Sequence, residues 1–416
     1  MSRTDIDVYA VGCACVRAHL RIRQGARDVS ANFDVIVIGG GMAGASVAAR
    51  LSREVRVLVL ERESQPGYHA TGRSAAIFSE IYGNAPIRAL SRASRDFFLR
   101  PPEDFADAPL VSPRGSLYVA NADQLERLHA HAQSPGVAAA ARLVTASEVR
   151  ALSPLLREDY VAAGLYEPAA SDLDVHALLN GYLRQLRQHG GRLQGDAEVL
   201  ELQRVGDHWR LHTPAGDFQA PIVINAAGAW VDRIAALAGA EAIGIQPLRR
   251  SAALVDAPPN MSITTWPLTI DIEERLYFKP DAGKILISPA DETPSEPCDA
   301  MPENWDIAVA VERMETITTL QISRVGQQWA GLRSFVAGRS PVVGYDSVLP
   351  SFFWLAALGG YGIQTAPAMG RLAAALVLGR ELPQDMLAMG LDPASIAPGR
   401  LTTRQTAPPA RRVVAE

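Results

Sequence analysis

The 416-residue sequence predicts an α/β protein, a Rossmann-like dinucleotide-binding domain into which an α+β substrate domain is inserted. Three observations carry that prediction. Residues 33–61 read as strand, glycine turn, helix and returning strand; two further strand-to-helix glycine turns occur downstream, at Gly228 and Gly359; alternating β patterns and proline-rich loops fill the segments between. A domain completed by such distant elements is discontinuous. The predicted division is 32–111, 172–243 and 327–396 for the dinucleotide domain and 112–171 with 244–326 for the substrate domain. An N-terminal extension, 1–31, expected to be disordered, and a polar tail, 397–416, flank them.

In the first unit, the apolar run Phe33-Asp34-Val35-Ile36-Val37-Ile38 is a strand, residues 42–52 a helix and residues 55–60 the returning strand. Gly39, Gly41 and Gly44 between them fall at the GxGxxG spacing. Gly39 permits a tight turn, Gly41 lets backbone amides approach a pyrophosphate at the helix start, and Gly44 lets helix and strand pack closely. Glu61 stands where a carboxylate would bind ribose hydroxyls. It would repel a 2′-phosphate, which disfavours NADP and leaves FAD and NAD open.

Residues 65–76 follow as a loop too rich in glycine and small residues for a helix interior, suited to close ligand contact. A helix is predicted over 86–99, ended by Pro101-Pro102, then a strand over 115–119 and a helix over about 174–189. Residues 191–225 alternate as antiparallel β structure with a turn at 214–217, and residues 221–224 form a buried strand that runs into Asn225-Ala226-Ala227-Gly228-Ala229-Trp230. Several strands and proline-rich loops are expected over 244–322. The last unit is a strand, 352–357, leading through Gly359-Gly360-Tyr361-Gly362 into a helix to about Leu378.

Composition narrows the function classes. With 48% hydrophobic and 20% charged residues the chain can bury two ordinary cores, and a net charge of −5 without a basic stripe argues against nucleic acid. Three cysteines, Cys13, Cys15 and Cys298, assemble neither a disulfide framework nor a zinc site, so no metal is expected and a reducing compartment is. The longest apolar stretch, 222–240, is broken by Asn225, Asp232 and Arg233, so no transmembrane segment is expected. Asp5 and Asp7 precede the apolar patch 8–16 in place of a basic leader, which argues against a secretory signal. The expected location is cytoplasmic, with peripheral attachment to the inner membrane compatible.

Three glycine turns exceed what one nucleotide site requires, and the segments QPGYHATGRSAA, VINAAGAW, RRSA, YFKPDAG, WAGLRSF and GGYGIQT resemble the D-amino acid oxidase superfamily of FAD enzymes. Similarity is greatest to FAD-dependent D-amino acid dehydrogenases of the D-arginine dehydrogenase type, over about Phe33 to Leu391. The resemblance implies an FAD-binding domain of the D-amino acid oxidase/glutathione reductase type holding noncovalent FAD. The cofactor set it implies is Gly39, Gly41, Met42, Ala43 and Gly44 at the pyrophosphate, Glu61 and Arg62 at the end of the second strand, and Thr71, Ser74, Ala75 and Ala76 in the loop. Val199, Gly228, Trp230 and Gly331 join them, and Gly359, Gly360, Tyr361, Gly362, Ile363, Gln364 and Thr365 face the flavin pyrimidine ring. A helix start there supplies unpaired amides and a partial positive charge for the charge that develops as hydride arrives.

On the substrate side the resemblance gives Arg333 and Tyr277 to the carboxylate, Arg250 as a second substrate arginine and Tyr82 as a cover, with Gly360 among the site residues; Ile77 stands where the arginine-type enzyme carries a histidine, and nearby Ser79 offers a hydroxyl. A planar guanidinium suits a carboxylate. A surface pair with Arg249 competes for Arg250, and a core aromatic role competes for Tyr82. His69 falls too early in its loop to match a base. Ser116 stands where the arginine-type enzyme carries an acid, so a neutral D-amino acid is expected unless Glu80 or Asp271 enters the pocket. Hydride transfer would give an imino acid, then a 2-oxo acid and ammonia, with quinone, another carrier or oxygen as electron acceptor. The alternatives are an amine or 2-hydroxy-acid enzyme of the sarcosine, glycine or 2-hydroxyglutarate kind, and a flavin-binding assembly module without turnover. Oligomeric state has no signature.

Overall fold

A computed structural model describes residues 33–259 and 261–402. The N-terminal extension with Cys13 and Cys15, and residues 403–416 of the tail, lie outside the described residues. The first unit forms as the sequence predicts: strand Val35–Ile38, helix Met42–Leu51 and strand Val57–Leu60. These strands sit inside a six-stranded sheet whose spatial order is Val342–Tyr345, Phe352–Ala356, Ile222–Asn225, Val35–Ile38, Val57–Leu60, Arg192–Gln194. All neighbours are parallel except the edge strand Val342–Tyr345. The chain leaves this sheet and returns to it after long excursions.

Both faces of the sheet are covered, which is why Val35, Ile36, Val37 and Ile38 read as an unbroken apolar run rather than an alternating one. Helices Met42–Leu51, Ala85–Leu99, Val175–Gln188 and Gly362–Val377 pack on one face. The other carries the three-stranded sheet Glu201–Val205, His208–Thr213, Gly216–Ala220, which buries Trp209 and Phe218, and helix Val231–Ala238. In that sheet's segment Leu200 and Val205 project outward.

A nine-stranded sheet forms the second layer. Strands Gln246–Val255, Lys284–Ser288, Tyr277–Asp281, Leu268–Asp271, Ser116–Ala120 and Ala163–Glu167 are neighbours in that order, and Val325–Phe335 runs along Gln246–Val255. Helix Asn304–Ile317 covers one face, in a region where the sequence predicts only strands and loops. Its signal was present: Ile307, Ala310, Met314 and Ile317, all buried, recur at spacings of three and four.

Three predicted junctions fall inside strands. A return to the dinucleotide domain at 327 would cut the strand Val325–Phe335, whose Ser334 bridges to Gly359 and so belongs to both layers. Junctions at 111–112 and 171–172 fall inside a small sheet of Ile77–Phe78, Ser171–Leu173 and Val111–Pro113. The chain also stays packed past 397: Val343 N–H donates to the Ile396 carbonyl, and Gly399–Thr402 is a short helix.

A Cβ on Gly44 would collide with the Gly39 carbonyl oxygen, and one on Gly39 with the Ala226 carbonyl; Gly39 also has φ +109°. Overpacking of this kind costs about 1–3 kcal/mol. Gly44→Ala should therefore lower the melting temperature by several degrees, while Arg53→Ala, an exposed control, should leave it nearly unchanged. Equal melting of both variants and the parent would mean that helix and strand separate freely.

Candidate functional site

A cavity of about 560 Å³ opens at the carboxyl ends of the parallel strands and is closed on its far side by the nine-stranded sheet. Its first wall is the glycine turn. Helix Met42–Leu51 begins at Gly41, which has no capping side chain, so the amides of Gly41 and Ala43 are available to an anion. Met42 N–H donates to Thr71 Oγ1 at 3.0 Å, which draws the loop over the turn. Glu61 Oε2 accepts from Gly40 N–H at 2.8 Å and Oε1 from Glu63 N–H at 2.9 Å, so the acid braces the turn while further lone pairs remain. Burial pushes the Glu61 pKa up, and those two backbone bonds oppose it.

Arg62 lies over the Trp230 ring at 4.9 Å, and His69 meets the same ring at 4.7 Å while bonding Glu63 at 2.8 Å. Loop 67–76 is fastened to the substrate layer by residues the sequence did not single out. Trp329 Nε1 donates to the Arg73 carbonyl at 3.0 Å, and Arg73 Nη1 donates to the Ala300 carbonyl at 2.7 Å.

The third turn forms the opposite wall. Helix Gly362–Val377 begins at Tyr361, again without a side-chain cap, and Gly359, Gly360, Gly362, Ile363 and Gln364 line the cavity. Tyr361 and Thr365 do not. The Tyr361 ring turns back against Tyr82 at 4.8 Å, and Thr365 is fully buried with Oγ1 donating to the Tyr361 carbonyl. Gly44 is likewise absent from the lining, because it faces the strand behind the turn. Every other residue expected at cofactor or substrate lines the cavity: Gly39, Gly41, Met42, Ala43, Glu61, Arg62, Thr71, Ser74, Ala75, Ala76, Val199, Gly228, Trp230 and Gly331, with Ser79, Tyr82, Arg250, Tyr277 and Arg333.

Arg333 and Arg250 occupy adjacent strands. Arg333 pairs with Leu248 in register and Arg250 with Gly331, so the two guanidiniums share one face of the sheet. Arg333 Nη2 donates to the Tyr82 hydroxyl at 2.5 Å, and a Cβ on Gly360 would overlap the Arg333 guanidinium. Arg250 Nε donates to the Asp291 carbonyl at 2.8 Å, and its guanidinium lies 6.0 Å from the Tyr277 ring. The surface pairing of Arg249 with Arg250 is not what forms. Arg249 points to the other face, bonded to Glu303 at 2.5 Å and Asp306 at 3.0 Å.

A single carboxylate serves three cations here. Glu292 Oε1 lies 2.6 Å from Arg339, 3.3 Å from Arg250 and 3.9 Å from Arg333. Burial works to raise the Glu292 pKa, but Arg339, Arg250 and Arg333 outweigh it and hold the group below its usual range. The cavity wall therefore carries surplus positive charge where Arg333 and Arg250 meet, the electrostatic condition for binding an anion.

At the far end Ser116, Tyr118, Leu268 and Ile270 form a mostly apolar wall, and the buried Ser116 Oγ has no hydrogen-bond partner among the described residues. Neither acid expected to compensate for Ser116 reaches it. Glu80 turns to Arg95 at 3.1 Å, and Asp271 is held by Gln124 at 3.0 Å and Tyr160 at 2.9 Å. Glu274 lines the cavity instead; it is exposed, at φ +54°, in the turn before Tyr277. That reversal depends on a hairpin geometry with no sequence signature beyond proximity to Tyr277.

Residues 34–376 match the family model described as FAD dependent oxidoreductase (DAO). Glycine oxidase of Geobacillus kaustophilus (strain HTA426) is 24% identical over 372 residues, covering 86% of this chain and 96% of that protein. The crystal structure of glycine oxidase from Geobacillus kaustophilus superposes with a TM-score of 0.75 at 22% identity, covering 87% of this chain and 99% of that one. L-alpha-glycerophosphate oxidase from Mycoplasma pneumoniae, solved with FAD bound, gives a TM-score of 0.75 at 19% identity over 85% of this chain and 96% of that one. Mitochondrial dimethylglycine dehydrogenase of Rattus norvegicus is 23% identical over 403 residues, 89% of this chain but 45% of that protein, so the chain spans about half the length of that relative.

Because Gly360 admits no side chain beside Arg333, Gly360→Ala should displace the guanidinium from Tyr82. Disrupting a buried charged pair costs about 2–5 kcal/mol, so carboxylate binding should weaken about 30-fold or more. Titration with propionate, followed by fluorescence of the lining residues Trp230 and Trp329, measures this. Equal affinity in parent and variant would place the anion elsewhere.

Proposed function

The chain belongs to the FAD dependent oxidoreductase family, and on that premise we propose that it oxidises a D-amino acid to the imino acid, in the manner of the D-arginine dehydrogenase type but with a neutral side chain. One observation carries the reading: the Arg333–Arg250 pair, only partly neutralised by Glu292, faces the cavity beside an uncapped helix start.

FAD is the family's cofactor, and the residues fit it. Two uncapped helix N-termini point amides into one cavity, and Gly39, Gly228 and Gly359 have φ values of +109°, +56° and +53°, which let the backbone turn beneath a ligand. In the proposed arrangement Gly41, Met42 and Ala43 face the pyrophosphate, Glu61 the ribose, and Gly362, Ile363 and Gln364 the pyrimidine edge. FAD, when bound, supplies a hydride acceptor. We take its attachment to be noncovalent.

The chain's own residues then bind and orient. Arg333 and Tyr277 take the substrate carboxylate in a planar contact, Arg250 adds a second positive charge, and Tyr82, already bonded to Arg333, covers the pair. The Gly360 carbonyl is the proposed acceptor for the substrate amine. His69 packs on Trp230 beside the loop proposed to hold the cofactor, bonded to Glu63 through Nε2, so it is given no part in proton removal, and the substrate is oxidised as the neutral amine. Positive potential at the 362–364 amides favours the charge that arrives with the hydride. The imino acid leaves and hydrolyses to a 2-oxo acid and ammonia. By likeness to the dehydrogenases, quinone or another carrier accepts the electrons, at a cytoplasmic site open to peripheral membrane contact.

A second reading is supported by the relatives. Glycine oxidase matches over nearly its full length and dimethylglycine dehydrogenase over 89% of this chain, and both names denote small amines bearing a carboxylate, which the same arginines would hold. A flavin-binding module without turnover has no use for a buried carboxylate clamp.

Anaerobic flavin bleaching with D-methionine, D-leucine, D-phenylalanine, D-lysine, D-arginine, glycine and sarcosine separates the readings. Neutral D-amino acids should reduce the flavin at least as efficiently as cationic ones, since an absent ionic partner costs a cationic side chain about 2–5 kcal/mol. A hundredfold lead for D-arginine would reverse this and point to Glu274; reduction by glycine or sarcosine alone would favour the second reading.

Arg333→Met should leave a folded, yellow protein whose reductive efficiency falls about 30-fold to several thousand-fold, the effect of truncating a charged pair worth roughly 2–5 kcal/mol. Reduction at the parent rate would transfer the clamp to Arg250.

A further inference from the structure

Glu167 has no part in the chemistry above, yet it is one of the most buried carboxylates in the protein, 1% exposed at the end of strand Ala163–Glu167. It stands opposite Ser116 in register. Its Oε2 accepts from Ser79 Oγ at 2.6 Å, and its Oε1 from Glu80 N–H at 2.7 Å. Ser79 lines the substrate cavity, and its backbone N–H is already given to Gln364 Oε1 at 3.1 Å, at the flavin-side helix start. The cavity therefore meets a hydroxyl whose proton points away.

We propose that Glu167 is a positioning residue that acts through Ser79: ionised, it fixes the Ser79 hydroxyl as a donor to itself, so the cavity wall offers lone pairs and selects a substrate side chain that donates a hydrogen bond. This rests on the reading of the cavity as an amino-acid site. A hydroxyl has one proton and two acceptor positions, so committing the proton to Glu167 decides the polarity of what remains. The substrate class is a neutral amino acid with an amide or hydroxyl donor, favoured over its apolar isostere.

The device responds to pH. Burial raises the Glu167 pKa to about 7, against the opposing bonds from Ser79 and from the Glu80 and Ile81 amides. Above that pH the carboxylate holds the Ser79 proton. Below it the carboxyl carries its own proton, donates to Ser79 Oγ and frees the hydroxyl hydrogen to face the cavity, so the preference for donors falls as pH falls. The groups around Glu167 are Glu80 from the same loop, whose charge is shared with Arg95 of helix Ala85–Leu99, and Tyr118 on the neighbouring strand, which Glu274 faces from the far side.

Isosteric pairs give the test: D-asparagine against D-leucine and D-threonine against D-valine, compared as ratios of reductive kcat/KM from pH 5.5 to 8.5. In the parent each ratio should be about fivefold or more higher at pH 8.5 than at pH 5.5, the worth of one hydrogen bond. Glu167→Gln, whose amide oxygen is claimed by the Glu80 N–H and whose nitrogen is thereby turned to donate to Ser79, should stay at the low-pH ratio throughout; Ser79→Ala should be equally flat. Ratios that vary with pH alike in all three proteins would overturn the proposal, as would parent ratios that do not change. Should Glu167→Gln fail to fold, Ser79→Ala decides. If no amino acid bleaches the flavin, the D-amino acid reading fails by itself. The pair is then judged by carbon-13 titration of the glutamate carboxyls: a near-neutral ionisation that rises in Ser79→Ala supports it, and one unmoved by that change refutes it.

Discussion

The contact on which the rest depends is backbone against backbone: the first helix approaches its strand so closely that Gly44 touches the Gly39 carbonyl and Gly39 touches Ala226. Such an approach aims the amides of Gly41 and Ala43 across the carboxyl ends of the sheet, while that of Met42 holds Thr71 of the loop above. It also fixes where the next two crossovers arrive, because strands Ile222–Asn225 and Phe352–Ala356 add sequentially to the same edge of the first strand. A wider spacing would part the three turns, and the cavity they enclose would lose its floor.

On that floor the charges are arranged by sheet geometry rather than by sequence neighbourhood. Arg249 and Arg250 are adjacent in the chain, yet alternation sends one to Glu303 and Asp306 and the other to the cavity. Arg250 and Arg333 are far apart in the chain, yet pairing of their strands sets them on one face. Three guanidiniums around Glu292 leave a net positive site in a partly buried setting, where an incoming carboxylate gains more than it would at the surface.

Local patterns made the nucleotide unit legible: a glycine spacing, an apolar run and a terminal acid are contiguous features, and all three turns form where they were read. Gly44, Tyr361 and Thr365 were placed at the cofactor because they share its motifs, but helical rotation carries Gly44 and Thr365 behind the wall while Tyr361 turns back onto Tyr82. Helix Asn304–Ile317 was hidden by the prolines before it, although its spacing was helical. Glu167 was beyond reach for a different reason. Its partners lie in a loop 87 and 88 residues earlier, and no local pattern marks a carboxylate whose role is set across a sheet.

Strand Val325–Phe335 joins the two layers: Trp329 holds loop 67–76, Arg333 reaches the cavity, and Ser334 bridges to Gly359. Arg333 and the third helix start are thereby tied to one continuous strand. A hinge motion that opened the layers like a book would have to break this strand's pairing with Gln246–Val255 or tear it from the third turn. The segment carrying Tyr82 and the tight turn carrying Glu274 reach the cavity from outside this strand, so an opening confined to them would leave the paired strands and the third turn intact.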